Sequence, residues 1–161
     1  MSTLLFEKAD IFDACRTGDL AKVQAIHHQH PDALNIKDAK GFSPLMLAVY
    51  NEHEEVTDYL LAKKADTDTT DNSGNTPLMG VCFKGNVALA KKLIEADANV
   101  NKQNVQGTSA LAFATTFGKV EMAKILLENG ASADLKDQQG LTPLDHAKIK
   151  GQPKMLELFK L

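Results

Sequence analysis

Three histidines within four positions, His27, His28 and His30 in the string HHQH, form the densest cluster of metal-ligand side chains in the chain. Zinc needs three or four converging ligands, and no cysteine or second histidine group lies within sequence reach. His53 and His146 stand alone. The three histidines read instead as the end of a helix, where the negative pole of the helix dipole favours them. Nucleophilic chemistry lacks a motif: there is no G-x-S-x-G, no HExxH, no P-loop and no cysteine with an evident histidine partner. The acid pair Glu54-Glu55 reads as a helix start. Asp-x-x-Gly occurs at Asp38, Asp71 and Asp137 and would suit a nucleotide switch in isolation, but it recurs at the interval described next. No catalytic residue, cofactor or metal is expected.

The elements that carry these residues repeat. Gly41, Gly74, Gly107 and Gly140 lie 33 residues apart, in GFSPLMLAV, GNTPLMGVC, GTSALAFAT and GLTPLDHAK. A fixed period of this length means one supersecondary unit copied along the chain, each copy unable to bury its apolar face alone. A second glycine follows eleven residues later in three copies, at Gly85, Gly118 and Gly151. Leu60, Leu93, Leu126 and Phe159 continue the register. IFDACRTGDLAKVQAI fits the same frame through Ile11, Ala14 and Gly18, with one extra residue placed in the loop around HHQHPD. Five units result: about 3–40, 41–73, 74–106, 107–139 and 140–161.

Each unit can be built from local chemistry. Asp38, Asp71 and Asp137 can fold their carboxylates onto nearby amides, and the following glycine supplies a turn with positive φ. Ser43, Thr76, Ser109 and Thr142 are expected helix N-caps, with Pro44, Pro77 and Pro143 at the first helical position. Gly85, Gly118 and Gly151 end that short helix. A second helix follows, as in VALAKKLIEA (87–96) and VEMAKILLEN (120–129). Its apolar residues are too many for a narrow stripe, which suits a helix packed between neighbours. Glu52 occupies the cap position that is glycine in every other unit, and positive φ is expected there or at Asn51.

The chain resembles the ankyrin repeat family. The resemblance rests on G-x-[ST]-P-L at Gly41, Gly74 and Gly140, on LLENGA at 126–131, and on the aspartates three residues before the repeat glycines. Two local departures stand out. Where the family often has histidine after the leucine, this chain has Met46, Met79, Ala112 and Asp145, and the copy at Gly107 lacks the proline. The resemblance implies an all-α repeat solenoid of five helix-turn-helix units with projecting β-hairpin or turn loops. It also implies non-catalytic binding of a partner protein through a concave face. A regulatory or structural subunit acting by homo-assembly is the alternative.

Composition is consistent with this. The net charge is −3 and the pI about 5.9, the lysines are scattered, and no basic patch for nucleic acid emerges. The N-terminus MSTLLFEKAD has three consecutive apolar residues followed by charge, which fits neither a signal peptide nor a membrane segment. A cytoplasmic monomer is expected. Cys15 and Cys82 occupy the same place two units apart. At ~8–10 Å per helix pair they should lie some ~20 Å from each other, beyond the ~7 Å Cα separation a disulfide allows. They read as small buried hydrophobes. Lys22 and Lys148 stand where inner units have apolar residues or threonine, giving polar outer faces at both ends, as a complete array needs.

The concave-face positions of the family map onto two sets. Beside the repeat glycines lie Lys40, Phe42, Ser73, Asn75, Gln106, Thr108, Gln139 and Leu141. Before the second glycines lie Tyr50, Asn51, Phe83, Lys84, Thr116, Phe117, Ile149 and Lys150. The chain has only seven Phe, two Tyr and no Trp, so Phe42, Tyr50, Phe83 and Phe117 on one face are a biased placement. The candidate partner-binding residues are Phe42, Tyr50, Asn51, Asn75, Phe83, Lys84, Thr108, Thr116, Phe117, Leu141 and Ile149. Two placements are open: an exposed apolar stripe, or rings tucked between repeats as core.

Overall fold

A computed structural model describes residues 4–160. Met1, Ser2 and Thr3, where the first unit and the N-terminal stretch begin, and Leu161, the end of the fifth unit, lie outside them. Five helix pairs follow one another: α1 (Asp10–Thr17) with α2 (Leu20–Gln29), α3 (Pro44–Tyr50) with α4 (Glu54–Ala62), α5 (Pro77–Lys84) with α6 (Val87–Glu95), α7 (Ala110–Thr116) with α8 (Val120–Glu128), and α9 (Pro143–Lys150) with α10 (Pro153–Leu158). The odd-numbered helices stack in chain order in one layer and the even-numbered helices in a second. Among the described residues no helix is long and apolar enough to cross a membrane.

The caps explain where α3, α5, α7 and α9 begin, whereas α1 starts after Ala9 with no side-chain cap. Ser43, Thr76, Ser109 and Thr142 each accept a hydrogen bond from the N–H three residues on, at 3.2, 3.3, 3.2 and 3.2 Å. α7 starts without proline, so the hydroxyl cap suffices. Two departures from the family pattern have replacements. Asp145 Oδ2 accepts from the Thr142 N–H at 2.9 Å, and Met79 Sδ accepts from that of Thr76 at 3.4 Å. The helices end on left-handed residues at Gly18, Gly85, Gly118 and Gly151, and at Glu52, whose φ is 60°.

The core lies between the two layers. Leu45, Leu78 and Leu111 recur at one level of the stack, with Ala48, Val81, Ala114 and Ala147 beside them, and all are buried. From the second helices come Val56 and Leu60, Leu89 and Leu93, Met122 and Leu126. Cys15 and Cys82 are fully buried free thiols. Burial pushes the Cys15 thiol up to about 12 and that of Cys82 higher still, so neither forms a thiolate at neutral pH. Thr115, in the same row, satisfies its buried hydroxyl by donating to the Leu111 carbonyl at 2.8 Å.

The projecting loops, expected as β-hairpins or turns, are turns: among the described residues the only strand-like pairing is an isolated bridge between Gln103 and Ser109. Two other expectations need correction. The extra residue near HHQHPD does not extend an open loop. Pro31–Asn35 wind into a 3-10 turn that buries Ala33 and Leu34. Lys148 is exposed as expected, but Lys22 is half-covered. The segment before α1 folds back over it, pinned by a Phe6 N–H to Gln29 Oε1 bond of 3.0 Å, and Lys22 Nζ lies 5.6 Å from the Phe6 ring centre.

Candidate functional site

The loops before α3, α5, α7 and α9 are rigid because their carboxylates and amides act as local acceptors. Asp38 Oδ1 accepts the N–H groups of Lys40 and Phe42, each at 2.9 Å. Asp71 does the same with Ser73 and Asn75, and Asp137 with Gln139 and Leu141. Asn104 completes the series with Gln106 and Thr108. Sequence reading missed it because an amide replaced the carboxylate. Burial works to raise the Asp137 carboxyl, but the N–H bonds from Leu141 and Gln139 and the 2.8 Å contact with His146 outweigh it and hold the group below its usual value. Adjacent loops are joined by backbone bonds: Asn72 N–H to Lys40 O, Val105 N–H to Ser73 O and Gln138 N–H to Gln106 O, at 3.1, 3.0 and 2.9 Å.

The loops before α3 and α5, with the exposed sides of those two helices, line a groove of about 710 Å³. Phe42, Tyr50, Asn51, Asn75 and Phe83 line it, together with Arg16, Lys40, Leu47, Gly80 and Phe113. Tyr50, Phe83 and Phe117 are 47, 44 and 46% exposed, so these three rings form surface. Phe42, expected to be exposed, is half-buried and packs against the core. Its backbone N–H is held by the Asp38 carboxylate. The rings also touch one another. Phe83 meets Phe117 edge-on with centroids 4.9 Å apart, Phe113 and Phe117 are stacked at 6.3 Å, and Lys84 Nζ sits 4.6 Å over Tyr50.

The other expected residues divide between support and separation. Asn51 donates its amide to the Leu47 carbonyl at 2.8 Å, and Asn75 bridges Asp71 Oδ2 and Asn104 Nδ2, so both hold the groove walls. Thr108 belongs to the next loop through Asn104. Thr116 is half-buried beside Phe117 at the end of α7. Leu141 is half-buried, and Ile149, 67% exposed, lies on α9. Neither joins the groove. Sequence reading also missed Gly80 and Phe113. The only available signal was that the position three residues into the first helix changes size from Leu47 to Gly80 to Phe113 to His146.

The histidines separate. His27 Nδ1 contacts Tyr59 Oη at 2.7 Å, and desolvation with the nearby Lys63 and His28 holds its pKa below the usual value. His30 Nε2 meets the Phe6 carbonyl at 2.8 Å, and His53 Nε2 meets that of Arg16 at 2.9 Å. His53 and His146, read as isolated, therefore tie neighbouring segments. Among the described residues no three His, Cys, Asp or Glu side chains are placed to hold one metal ion.

The paired helices, the capped loops and the in-register core agree with comparison to known proteins. A family model described as Ankyrin repeats (3 copies) matches residues 11–104 and again residues 78–160. Together these matches span nearly all of the described structure, and the chain belongs to the ankyrin repeat family.

Proposed function

We propose that the chain is a non-catalytic recognition module that binds a partner protein through its concave face as a monomer. Ankyrin repeats are generally protein–protein interaction modules and typically non-enzymatic. The observation that carries the reading here is the contiguous exposure of Tyr50, Phe83 and Phe117 beside a groove walled by hydrogen-bonded loops. Exposed aromatic rings on a rigid support are the side chains that dominate interface energetics. Their backbone is held in α3, in α5 and at the end of α7, and the loops beside them are already ordered by Asp38, Asp71 and Asn104, so binding orders little further backbone.

The test is affinity capture from the native host with two baits, the wild-type chain and Phe83→Ala, followed by measurement of the affinity of the captured partner. The variant is expected to bind more weakly by about 2 kcal/mol or more, as a central aromatic does. Its stability should fall by only about 1 kcal/mol, the scale of the lost edge-on contact with Phe117. A stability loss of about 3–5 kcal/mol would mark Phe83 as core and overturn the reading. Sedimentation of the wild-type chain separates homo-assembly: association with rising concentration, abolished by Phe83→Ala, would replace a foreign partner with a second copy.

A further inference from the structure

The turns that join α5 to α6, α7 to α8 and α9 to α10 form one edge of the stack, at the end of each helix pair opposite the capped loops. Neighbouring turns touch. Lys119 Nζ lies 3.4 Å from where a Cβ on Gly85 would stand, and Gln152 Nε2 lies 3.8 Å from that of Gly118. Residues 83–88, 116–121 and 148–154 along this edge carry five lysines and one acid, Glu121. Two further carboxylates stand one helical turn inside it: Asp145, which Lys148 attracts, and Glu157, three residues after Lys154. Five lysines thus face three carboxylates, in a chain of net charge −3. Among the described residues none of the five forms an ion pair. The α3–α4 turn has the opposite sign, through Glu52, Glu54 and Glu55, so the cationic stretch begins at Lys84.

Helix stability accounts for only some of these cations. Lys84, Lys148 and Lys150 lie in the last turns of α5 and α9, where the helix dipole favours positive charge. Lys119 and Lys154 stand at the opposite pole, which disfavours it. Asp19 caps α2 and Asn86 caps α6, accepting N–H bonds at 3.0 and 3.1 Å, whereas Lys119 holds the same position before α8 and makes no side-chain cap bond. Lys154 lies in the first turn of α10. The apolar residues of the edge are Phe83, Phe117 and Ile149, one from each turn and all exposed. Phe83 and Phe117 meet edge-on with centroids 4.9 Å apart, so they lie along the surface and do not project from it. That suits a chain laid across them better than insertion into a bilayer, which takes apolar groups ~5–10 Å below the head groups.

We infer that this edge takes an acidic extended segment of a partner protein, with carboxylates across Lys84, Lys119 and Lys150 and an apolar side chain resting on Phe83 and Phe117. This rests on the chain being a protein-recognition module, and it adds the edge to the concave face, since Phe83 and Phe117 belong to both. Opposite charge selects the segment: the edge offers more cations than carboxylates, and two of those cations stand where helix stability disfavours them. Three turns at ordinary helix spacing cover roughly 16–20 Å. An extended chain advances ~3.3 Å per residue, so about six residues span the edge.

Selection of displayed random 12-residue peptides on the wild-type chain, followed by fluorescence anisotropy of the best labelled peptide, tests this. The selected peptides should share Asp or Glu residues and an aromatic or aliphatic residue within that span. Lys119→Glu with Lys150→Glu should weaken binding at least tenfold. Lys91→Glu with Lys124→Glu makes the same change of charge at exposed positions of α6 and α8 and should leave binding within about twofold. Lys119→Asn, which supplies the cap that Asn86 gives α6, should raise the melting temperature and still weaken binding several-fold. Peptides that lose affinity with Phe83→Ala but carry no acids, or respond alike to the two lysine pairs, would overturn the inference while leaving the concave face as the binding surface. Binding indifferent to Phe83→Ala and to both lysine pairs, or no selected peptide, would overturn both. Binding to phosphatidylserine vesicles or to a single-stranded oligonucleotide that Lys119→Glu with Lys150→Glu abolishes, with no such loss for any peptide, would overturn the acidic segment and assign the edge to lipid or nucleic acid.

Discussion

Glu52 shows how much one residue of the period decides. In the other four units a glycine ends the first helix, and here Glu52 adopts the same left-handed turn at φ 60°. A non-glycine residue in that region costs on the order of 1 kcal/mol. Its side chain offsets little of that, since Oε1 accepts one exposed bond from Asn86 Nδ2 at 3.0 Å. Glu52→Gly is therefore expected to raise stability by up to about 1 kcal/mol in urea unfolding, and a destabilised variant would show that the Asn86 contact outweighs the backbone strain. The position was legible because four glycines surrounded it in register. Lys64 and Asp97 were not. They have φ of 64° and 66° at the place that is Gly130 in the next unit, and one glycine among three different residues gives no pattern to read. Gly80 was missed for the opposite reason: its meaning depends on what the neighbouring repeats place beside it.

At the scale of the element, helices and caps were readable because their causes are local. Ser43, Thr76, Ser109 and Thr142 cap by bonding three residues ahead, and that interval is visible in sequence. The loops were readable only in part. Asp38, Asp71 and Asp137 announced their turns, whereas Asn104 makes the same two bonds and adds a third, donating Nδ2 to Asn75 Oδ1 at 2.9 Å. Removing it leaves two loop N–H groups and a partner amide unsatisfied. Asn104→Ala is expected to cost about 1–3 kcal/mol, while Asn104→Asp, which restores the acceptor used in the other loops, should lose less than half as much. Equal losses in thermal unfolding would show that the bond to Asn75, and not the turn, is what holds the loop. The bonds that join one loop to the next, such as Val105 N–H to Ser73 O at 3.0 Å, span about one full period and left no trace in the local sequence.

For the whole molecule, the 33-residue interval between glycines already specifies that like positions line up along a stack. It does not specify the rotation of each helix to within one residue. That rotation decides which helix rings face solvent, and it leaves Tyr50, Phe83 and Phe117 exposed, while Phe42, in the loop before α3, packs against the core. The face that results carries its exposed rings at the ends of α3, α5 and α7, and its walls are loops already bonded to one another. Hydrogen–deuterium exchange of the chain, alone and with the partner captured by the wild-type bait, tests most directly whether this face is where binding occurs. Protection is expected in the loops at 38–42 and 71–75 and in the later turns of α3, α5 and α7, with exchange in α4, α6 and α8 unchanged. Protection confined to α4, α6 and α8, with the concave loops unaltered, would contradict it.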